Sequence, residues 1–461
     1  VKPLTYEAVA KATGGRMGKS FSGEILGVST DSRSVKQGDL FVPLVGTKFD
    51  GHDFIKNAFE AGASATLCAE DKRDRVLNIG LEKPVIFVDD TQKALLRLAG
   101  FYRSLFSVPF VAITGSVGKT TTKEMIAAVL KIRYRVLKNE GNLNNEIGLP
   151  LTLFRLEDHQ VGVVEMGMSG FGEISRLSAI VKPRVGVITN IGVSHIEKLG
   201  SRENIARAKL EITEPLSKDD LVVLNADSPE LYAKRGTLTP RTVYFGIEKG
   251  DLRATDIVSM GRGGVSFKVT GDIPEFSVEI PLAGTHNVYN ALAAIAVGLE
   301  FGLSVDEIRR GLMDLKPNKM RLEFKKSHSG AIVIDDSYNA SPDSMKAALD
   351  VLRELGEGKR KAAILGDMLE LGDYAVTAHE DIGRYAASRT DMLICIGNHA
   401  EDLARGAAEA GLSPRFINTF NTNKEAMDWL GELVEDCDII LVKASRAMKM
   451  EEIVDFLIRG S

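Results

Sequence analysis

The chain has 461 residues, 44% hydrophobic and 26% charged, with a formal net charge of −5. That is enough apolar material for roughly three globular domains, and an acidic balance argues against a general nucleic-acid binder, so any anionic ligand must be held by local cations. The three cysteines (Cys68, Cys395 and Cys437) are widely spaced, each in or beside an apolar run, which argues against a disulfide framework or thiolate metal site. No apolar run reaches the ~18 residues of a membrane span, and Val1 to Thr5 lacks a signal-peptide core; a cytoplasmic protein without a membrane span is expected.

Residues 1–98 read as a small α/β unit. Ala8 to Ala12 predicts a helix closed by Gly14-Gly15, Leu40 to Val45 a strand, and Asp53 to Ala61 a helix stopped by Gly62. Two polar loops, Ser29 to Arg33 and Gly46 to His52, need nothing beyond turn chemistry. Residues 99–315 alternate apolar runs rich in β-branched residues with helical stretches: Val161 to Val164, Val185 to Thr189 and Leu221 to Leu224 predict a mostly parallel sheet covered on both faces. Ala254 to Met260 and Val265 to Thr270 then predict an antiparallel hairpin about Gly261-Arg262-Gly263-Gly264. His286 to Phe301 predicts a helix, and Ser304-x-x-Glu307 a capping box for the next. Across 316–461 the α/β beat returns with strands at Ala331 to Ile334, Ala362 to Leu365, Met392 to Ile396 and Ile439 to Val442. This topology is Rossmann-like, but no Gly-x-Gly-x-x-Gly follows any strand, which weighs against a nicotinamide oxidoreductase.

The most chemical stretch is Phe110 to Lys123. An apolar run breaks at Gly115-Ser116-Val117-Gly118, and Lys119-Thr120-Thr121 opens a helix. Strand, glycine turn and helix N-terminus make a phosphate site, although an ordinary glycine turn opening a helix has the same form. The usual phosphate loop places four residues between its glycines; here there are two. Glu165 ends one strand and His195 follows another, at the edge where parallel sheets bind ligands; an acid capping its turn and an ordinary satisfied histidine are the plain alternatives. Lys209 reads as a solvated helix lysine. The amides of Asn139 to Glu146 suit either substrate oxygens or tight turns, and Asn287 and Asn290 share a helical face.

Together these residues resemble the Mur ligase family, ATP-dependent amide ligases of peptidoglycan precursor synthesis. In that family two residues separate the loop glycines. Glu165-Met166-Gly167, Thr189-Asn190-Ile191 with His195, Ala208-Lys209, Leu282 to Asn287 and Arg321-Leu322-Glu323 follow in the family's order. Gly141 to Gly148, Asn225 to Pro229, Asp335 to Pro342 and Lys443 to Arg446 look like the branch that adds D-alanyl-D-alanine to UDP-N-acetylmuramoyl-tripeptide. Met168-Ser169-Gly170 departs from the Ala-Asn-His of some members.

The resemblance implies an α/β chain of three domains: a UDP-sugar-peptide domain (1–98), a central ATP domain (99–315) and a Rossmann-like ligase domain (316–461). It implies ATP and two Mg²⁺ ions. Gly115, Ser116, Val117, Gly118, Lys119, Thr120 and Thr121 would hold phosphates, with Thr120 and Glu165 on one Mg²⁺, and His195 and a carbamylated Lys209 on the other. Arg321 and Asp336 would reach the γ-phosphate and ribose, and His286, Asn287 and Asn290 the adenine end. Ser32, Arg33, Asp50, Gly51, His52, Asn142, Asn144, Asn145, Tyr338, Asn339, Ser445 and Arg446 would contact the substrates. A monomer is expected. The rivals are a family member adding another amino acid or polyglutamate, and a nucleotide switch. A GTPase switch would carry Asn-Lys-x-Asp, and neither Asn318-Lys319-Met320-Arg321 nor Asn423-Lys424-Glu425-Ala426 ends in the acid.

Overall fold

A computed structural model describes residues 1–78 and 82–460, which divide into two units: Val1–Ile113 with Tyr134–Gly186 and Glu211–Asp220, and Thr114–Arg133 with Val187–Leu210 and Leu221–Ser461.

In the first unit, Gly27–Ser29, Asp39–Phe41, Ala65–Ala69 and Val85–Val88 form a parallel sheet, and Arg16–Met17 pairs antiparallel at the Val85–Val88 edge. Two of its strands, Ala65–Ala69 and Val85–Val88, are buried along their length, as a sheet covered on both faces requires. The first helix is Tyr6–Thr13, started by the Thr5 hydroxyl on Ala8 N–H (3.2 Å) and ended by left-handed Gly14. The strand predicted over Leu40 to Val45 stops at Phe41, because Pro43 cannot donate to a ladder. The helix predicted over Asp53 to Ala61 is a 3₁₀ turn, Gly51–Phe54, continuing as Ile55–Glu60. Further on, Val161–Glu165 lies parallel between Phe110–Thr114 and Val136–Lys138, with Glu165 level with Ile113.

In the second unit, helix Lys119–Lys131 packs against His286–Glu300. Strands Leu221–Asn225, Arg241–Gly246 and Leu252–Ser259 run parallel, then Val265–Gly271 and Phe276–Ile280 return antiparallel. The expected hairpin about Gly261–Gly263 and the capping box at Ser304 are both present. A six-stranded sheet follows in the order Glu323–Lys326, Ile332–Asp335, Ile439–Lys443, Lys361–Gly366, Met392–Ile396, Ile417–Phe420. Only its Glu323–Lys326 edge is antiparallel. Separate apolar clusters cover its two faces, Leu349, Leu365 and Leu403 in one, Ile364, Leu430 and Ile453 in the other. Cys68, Cys395 and Cys437 are buried free thiols. Among the described residues no helix is long and apolar enough to cross a membrane.

Candidate active site

Both loop glycines are structurally required. Gly115 (φ 152°) lies so close to Thr189 that a Cβ would fall 1.8 Å from its Oγ1, and Gly118 (φ 83°) so close to Asn290 that a Cβ would fall 2.5 Å from its Oδ1. The loop is gripped by the segment after Val185–Ile188. Asn190 Oδ1 accepts from Ser116 N–H (3.1 Å) and Val117 N–H (2.9 Å), Thr189 Oγ1 donates to Val117 O (2.5 Å), and Gly192 N–H donates to Ser116 Oγ (2.8 Å). That gripping segment is itself held: Asn225 Nδ2 donates to Thr189 O (2.9 Å), Ile191 N–H to Ser228 Oγ (3.3 Å), and Arg202 Nη2 to Ile191 O (2.9 Å). The Asn225–Pro229 motif thus has a structural role. Lys119 curls back so that Nζ donates to Gly115 O (2.8 Å) and Ser116 O (3.3 Å). The result is a rigid cradle with a cation at its mouth and the first-turn N–H groups of Lys119–Lys131 pointing out of the helix, which fits a nucleotide's phosphates.

Glu165 is 3% exposed and tightly set. Asn139 pins its backbone on both sides (Glu165 N–H to Asn139 Oδ1, 2.9 Å; Asn139 Nδ2 to Glu165 O, 3.2 Å), and Asn144 Nδ2 donates to Oε1 (2.7 Å). The amide-rich loop therefore divides its work. Asn139 and Asn144 orient the carboxylate, Asn145 Oδ1 accepts from Ile147 and Gly148 N–H to start Gly148–Leu153, and Asn142 is exposed.

Lys209 overturns its reading as a solvated lysine. It is 1% exposed, because Ile205, Ala208 and Lys209 share the buried face of Arg202–Leu210. Burial, reinforced by the charge of Lys119, holds its amine well below the ordinary lysine range. His195 has left-handed backbone (φ 65°), and its Nδ1 lies 2.5 Å from Glu370 Oε2. The sequence reading missed Glu370.

Arg321 stands between two left-handed residues, Met320 (φ 59°) and Leu322 (φ 49°). Its guanidinium lies 4.3 Å over the Tyr338 ring, and Nη2 donates to Thr120 Oγ1 (3.2 Å), so three predicted site residues meet. Asp336 instead faces inward, with Oδ2 2.6 Å from the buried amine of Lys443, which also donates to Asn339 O (2.9 Å). Asn287 and Asn290 are joined (3.0 Å), and Thr122 Oγ1 donates to Asn290 Oδ1 (3.0 Å). His286 is partly buried, and burial pulls its pKa to about 4. Ser445 Oγ accepts from Leu369 N–H, and Arg446 pairs with Glu451 on the surface.

Among the expected UDP-site residues, exposed Arg33 makes a two-pronged pair with Asp31 (2.9 and 2.7 Å), while Ser32 and Gly51, one in each of the two polar loops, are part-exposed. The His52 ring is buried, with Nδ1 on Asp50 (2.6 Å) and Nε2 accepting from Ala69 N–H (3.0 Å). Its side chain braces Asp50 and is not presented to a ligand.

Three Mur ligase family models match in succession: the catalytic domain over residues 24–103, the middle domain over 113–298 and the glutamate ligase domain over 320–446. The UDP-N-acetylmuramoyl-tripeptide–D-alanyl-D-alanine ligase of Bacillus subtilis is 43% identical over 438 residues, 95% of this chain and 94% of the relative. The chain belongs to the Mur ligase family. The enzyme of the same name from Escherichia coli is 35% identical over 93% of this chain and 92% of its own. Among solved structures, MurF from Acinetobacter baumannii superposes with a TM-score of 0.91 at 33% identity, covering 99% of both chains. The MurF ligase of Thermotoga maritima in complex with ADP gives 0.82 at 29% identity over 94% of this chain and 97% of its own. The chain shares the three-domain α/β architecture of these Mur ligases, a mostly parallel central sheet with antiparallel strands.

Proposed function

We propose that this Mur ligase joins D-alanyl-D-alanine to the terminal carboxylate of a UDP-N-acetylmuramoyl-tripeptide at the expense of ATP, in peptidoglycan precursor synthesis. The observation that carries the reading is the pairing of a braced phosphate loop with a buried, charge-suppressed lysine, Lys209, in a chain that full-length relatives of that name match. Residues 1–98 take the UDP-sugar end, 99–315 ATP and 316–461 the incoming dipeptide. The protein works as a cytoplasmic monomer.

In this reaction a substrate carboxylate oxygen attacks the γ-phosphorus, ADP leaves, and an acyl phosphate results. The dipeptide nitrogen then attacks the acyl carbon, the C–N bond forms, the C–O bond to phosphate breaks, and the two surplus ammonium protons pass to phosphate and solvent. The protein's part is to position and neutralise charge. Lys119 and the loop N–H groups hold the transferring phosphate, and Arg321, fixed on Tyr338, adds a second cation. Among the described residues no three His, Cys, Asp or Glu side chains make a ready metal cage, yet hydroxyl and carboxylate donors suit Mg²⁺, which takes one or two protein oxygens and completes its shell with phosphate and water. Thr120 and Glu165 would hold one ion, and His195 and a carbamylated Lys209 the other. Bound there, Mg²⁺ would neutralise the phosphates and the reacting carboxylate. His286, Asn287 and Asn290 take the adenine end, and Asp336 the ribose once released from Lys443. Ser32, Arg33, Asp50 and Gly51 take the UDP-sugar, and Asn142, Asn144, Asn145, Tyr338, Asn339, Ser445 and Arg446 the peptide groups.

The test is ADP release from ATP, Mg²⁺ and the UDP-tripeptide. Strong stimulation by D-alanyl-D-alanine is expected; stimulation only by another amino acid, or turnover indifferent to any acceptor, would refute the reading. Tripeptides with lysine or diaminopimelate at the third position then define that specificity.

A further inference from the structure

Two residues with left-handed backbone face each other in the second unit: His195 at φ 65° and Glu370 at φ 62°. Such conformations cost on the order of 1–3 kcal/mol and persist only where the surroundings impose them. At Glu370 the restraints are visible. Ser445 N–H donates to Asp367 O (3.0 Å), Met368 N–H to His379 Nε2 (2.9 Å) and Leu369 N–H to Ser445 Oγ (2.9 Å). On the other side Gly372, also left-handed, lies against Glu197, where a Cβ would sit 3.0 Å from its Cγ. The turn between Lys361–Gly366 and Gly372–Tyr374 thus carries the carboxylate from the sheet's C-terminal edge to His195.

The contact it makes there is incomplete. Oε2 lies 2.5 Å from His195 Nδ1, but that buried nitrogen has no hydrogen-bond partner in line, and the Glu370 side chain remains 58% exposed. A carboxylate held in costly backbone beside a site residue, open to solvent and facing, among the described residues, only His195 and the more distant charge of Lys198, is available to a ligand. The ligation proposed above brings in the ammonium of the incoming dipeptide, and a lysine or diaminopimelate third residue would add a side-chain ammonium on the UDP-tripeptide; a rise in KM confined to the dipeptide separates the first from the second. Of the residues expected around the reacting carboxylate, Lys119 is a cation that repels the dipeptide ammonium, and His195 and a carbamylated Lys209 would be engaged with Mg²⁺.

We propose that Glu370 binds the ammonium of the acceptor dipeptide, exchanging His195 for a charge-assisted hydrogen bond to the substrate. It orients the amine and selects acceptors with a charged amino end. This rests on the ligase reading, which stands or falls separately on whether the wild-type protein releases ADP in response to D-alanyl-D-alanine.

The test compares wild type with Glu370→Gln, which keeps shape and removes charge, and Glu370→Asp. Each is assayed with D-alanyl-D-alanine and with hydroxylamine, a small nucleophile uncharged at neutral pH that traps the acyl phosphate as a hydroxamate. For the Gln variant, KM for the dipeptide should rise about tenfold or more, with KM for ATP and UDP-tripeptide, Mg²⁺ half-saturation and hydroxamate formation held. The Asp variant should recover part of the loss. An unchanged dipeptide KM would overturn the proposal. A parallel fall in hydroxamate formation would mark a structural role, and a shifted Mg²⁺ requirement a metal ligand; either would also overturn it.

Discussion

The amine of Lys209 is buried within the electrostatic reach of Lys119, and desolvation together with that like charge keeps it far less basic than an exposed lysine. More of it is therefore neutral at a given pH, and a neutral amine is the form that adds CO₂, losing one proton to become a carbamate. Lys209→Ala should lose at least about 100-fold in ligation rate and regain part with millimolar formate or acetate. Wild type in CO₂-depleted buffer should slow and recover with bicarbonate. Full activity of the Ala variant without any added carboxylate would end the carbamate reading.

Gly118 supplies two things that alanine lacks, a left-handed φ of 83° and clearance from Asn290 Oδ1. In Gly118→Ala the loop or Asn290 must move, and displacement of a phosphate-positioning loop by about 1 Å costs on the order of 100-fold. We expect that loss in kcat/KM for ATP. Gly236→Ala is the control: its φ is 76° but nothing lies within 4 Å of the added Cβ. It should lose about 1–2 kcal/mol of stability with ligation unchanged. Equal kinetic effects from the two substitutions would show that loop geometry is not what matters.

The phosphate loop was readable because its signals are local: an apolar run, paired glycines and a lysine opening a helix within a few residues. The short spacing also identified the family. Lys209 was misread from its residue type alone; the apolar partner Ile205 four positions earlier already marked the buried face. Glu370 left no such trace, since its importance comes from a backbone sign and from a contact with His195 made only in the fold. Arg241–Gly246 and Ile417–Phe420 escaped because both mix polar residues into short strands whose partners lie elsewhere in the chain. His52 and Asp336 fall where the family places ligand contacts, yet their side chains are committed to Asp50 and Lys443.

The Asp336–Lys443 pair is a buried ion pair, with Lys443 2% and Asp336 14% exposed, and it also fixes the backbone of Asn339. Removing one partner leaves the other charge uncompensated, which costs about 3 kcal/mol. Lys443→Met should therefore lower the urea midpoint strongly, whereas Lys443→Met with Asp336→Asn should recover much of it. Because Asp336 Oδ1 also accepts from Leu322 N–H (3.2 Å), the single variant should loosen the turn that aims Arg321, raising KM for ATP as well. Additive losses in the double variant would show that the two side chains do not stabilise each other.

His286 makes stability depend on pH in a defined direction. Burial lowers its pKa from 6.5 to about 4, with the charge of Lys443 adding to the effect and Asp336 opposing it. Between those values the unfolded chain binds a proton that the folded chain refuses, so stability falls as pH drops from about 6.5 towards 4 and levels off below. The ceiling for one proton is ~1.4 kcal/mol per pH unit, reduced here because His286 is only partly buried. His286→Gln removes the titration. Relative to wild type it should therefore gain ground as pH falls from 7 to 5, read as a narrowing or reversal of the difference in urea midpoint. A difference that is constant across that range would show that His286 is as easily protonated in the folded protein as in the unfolded chain.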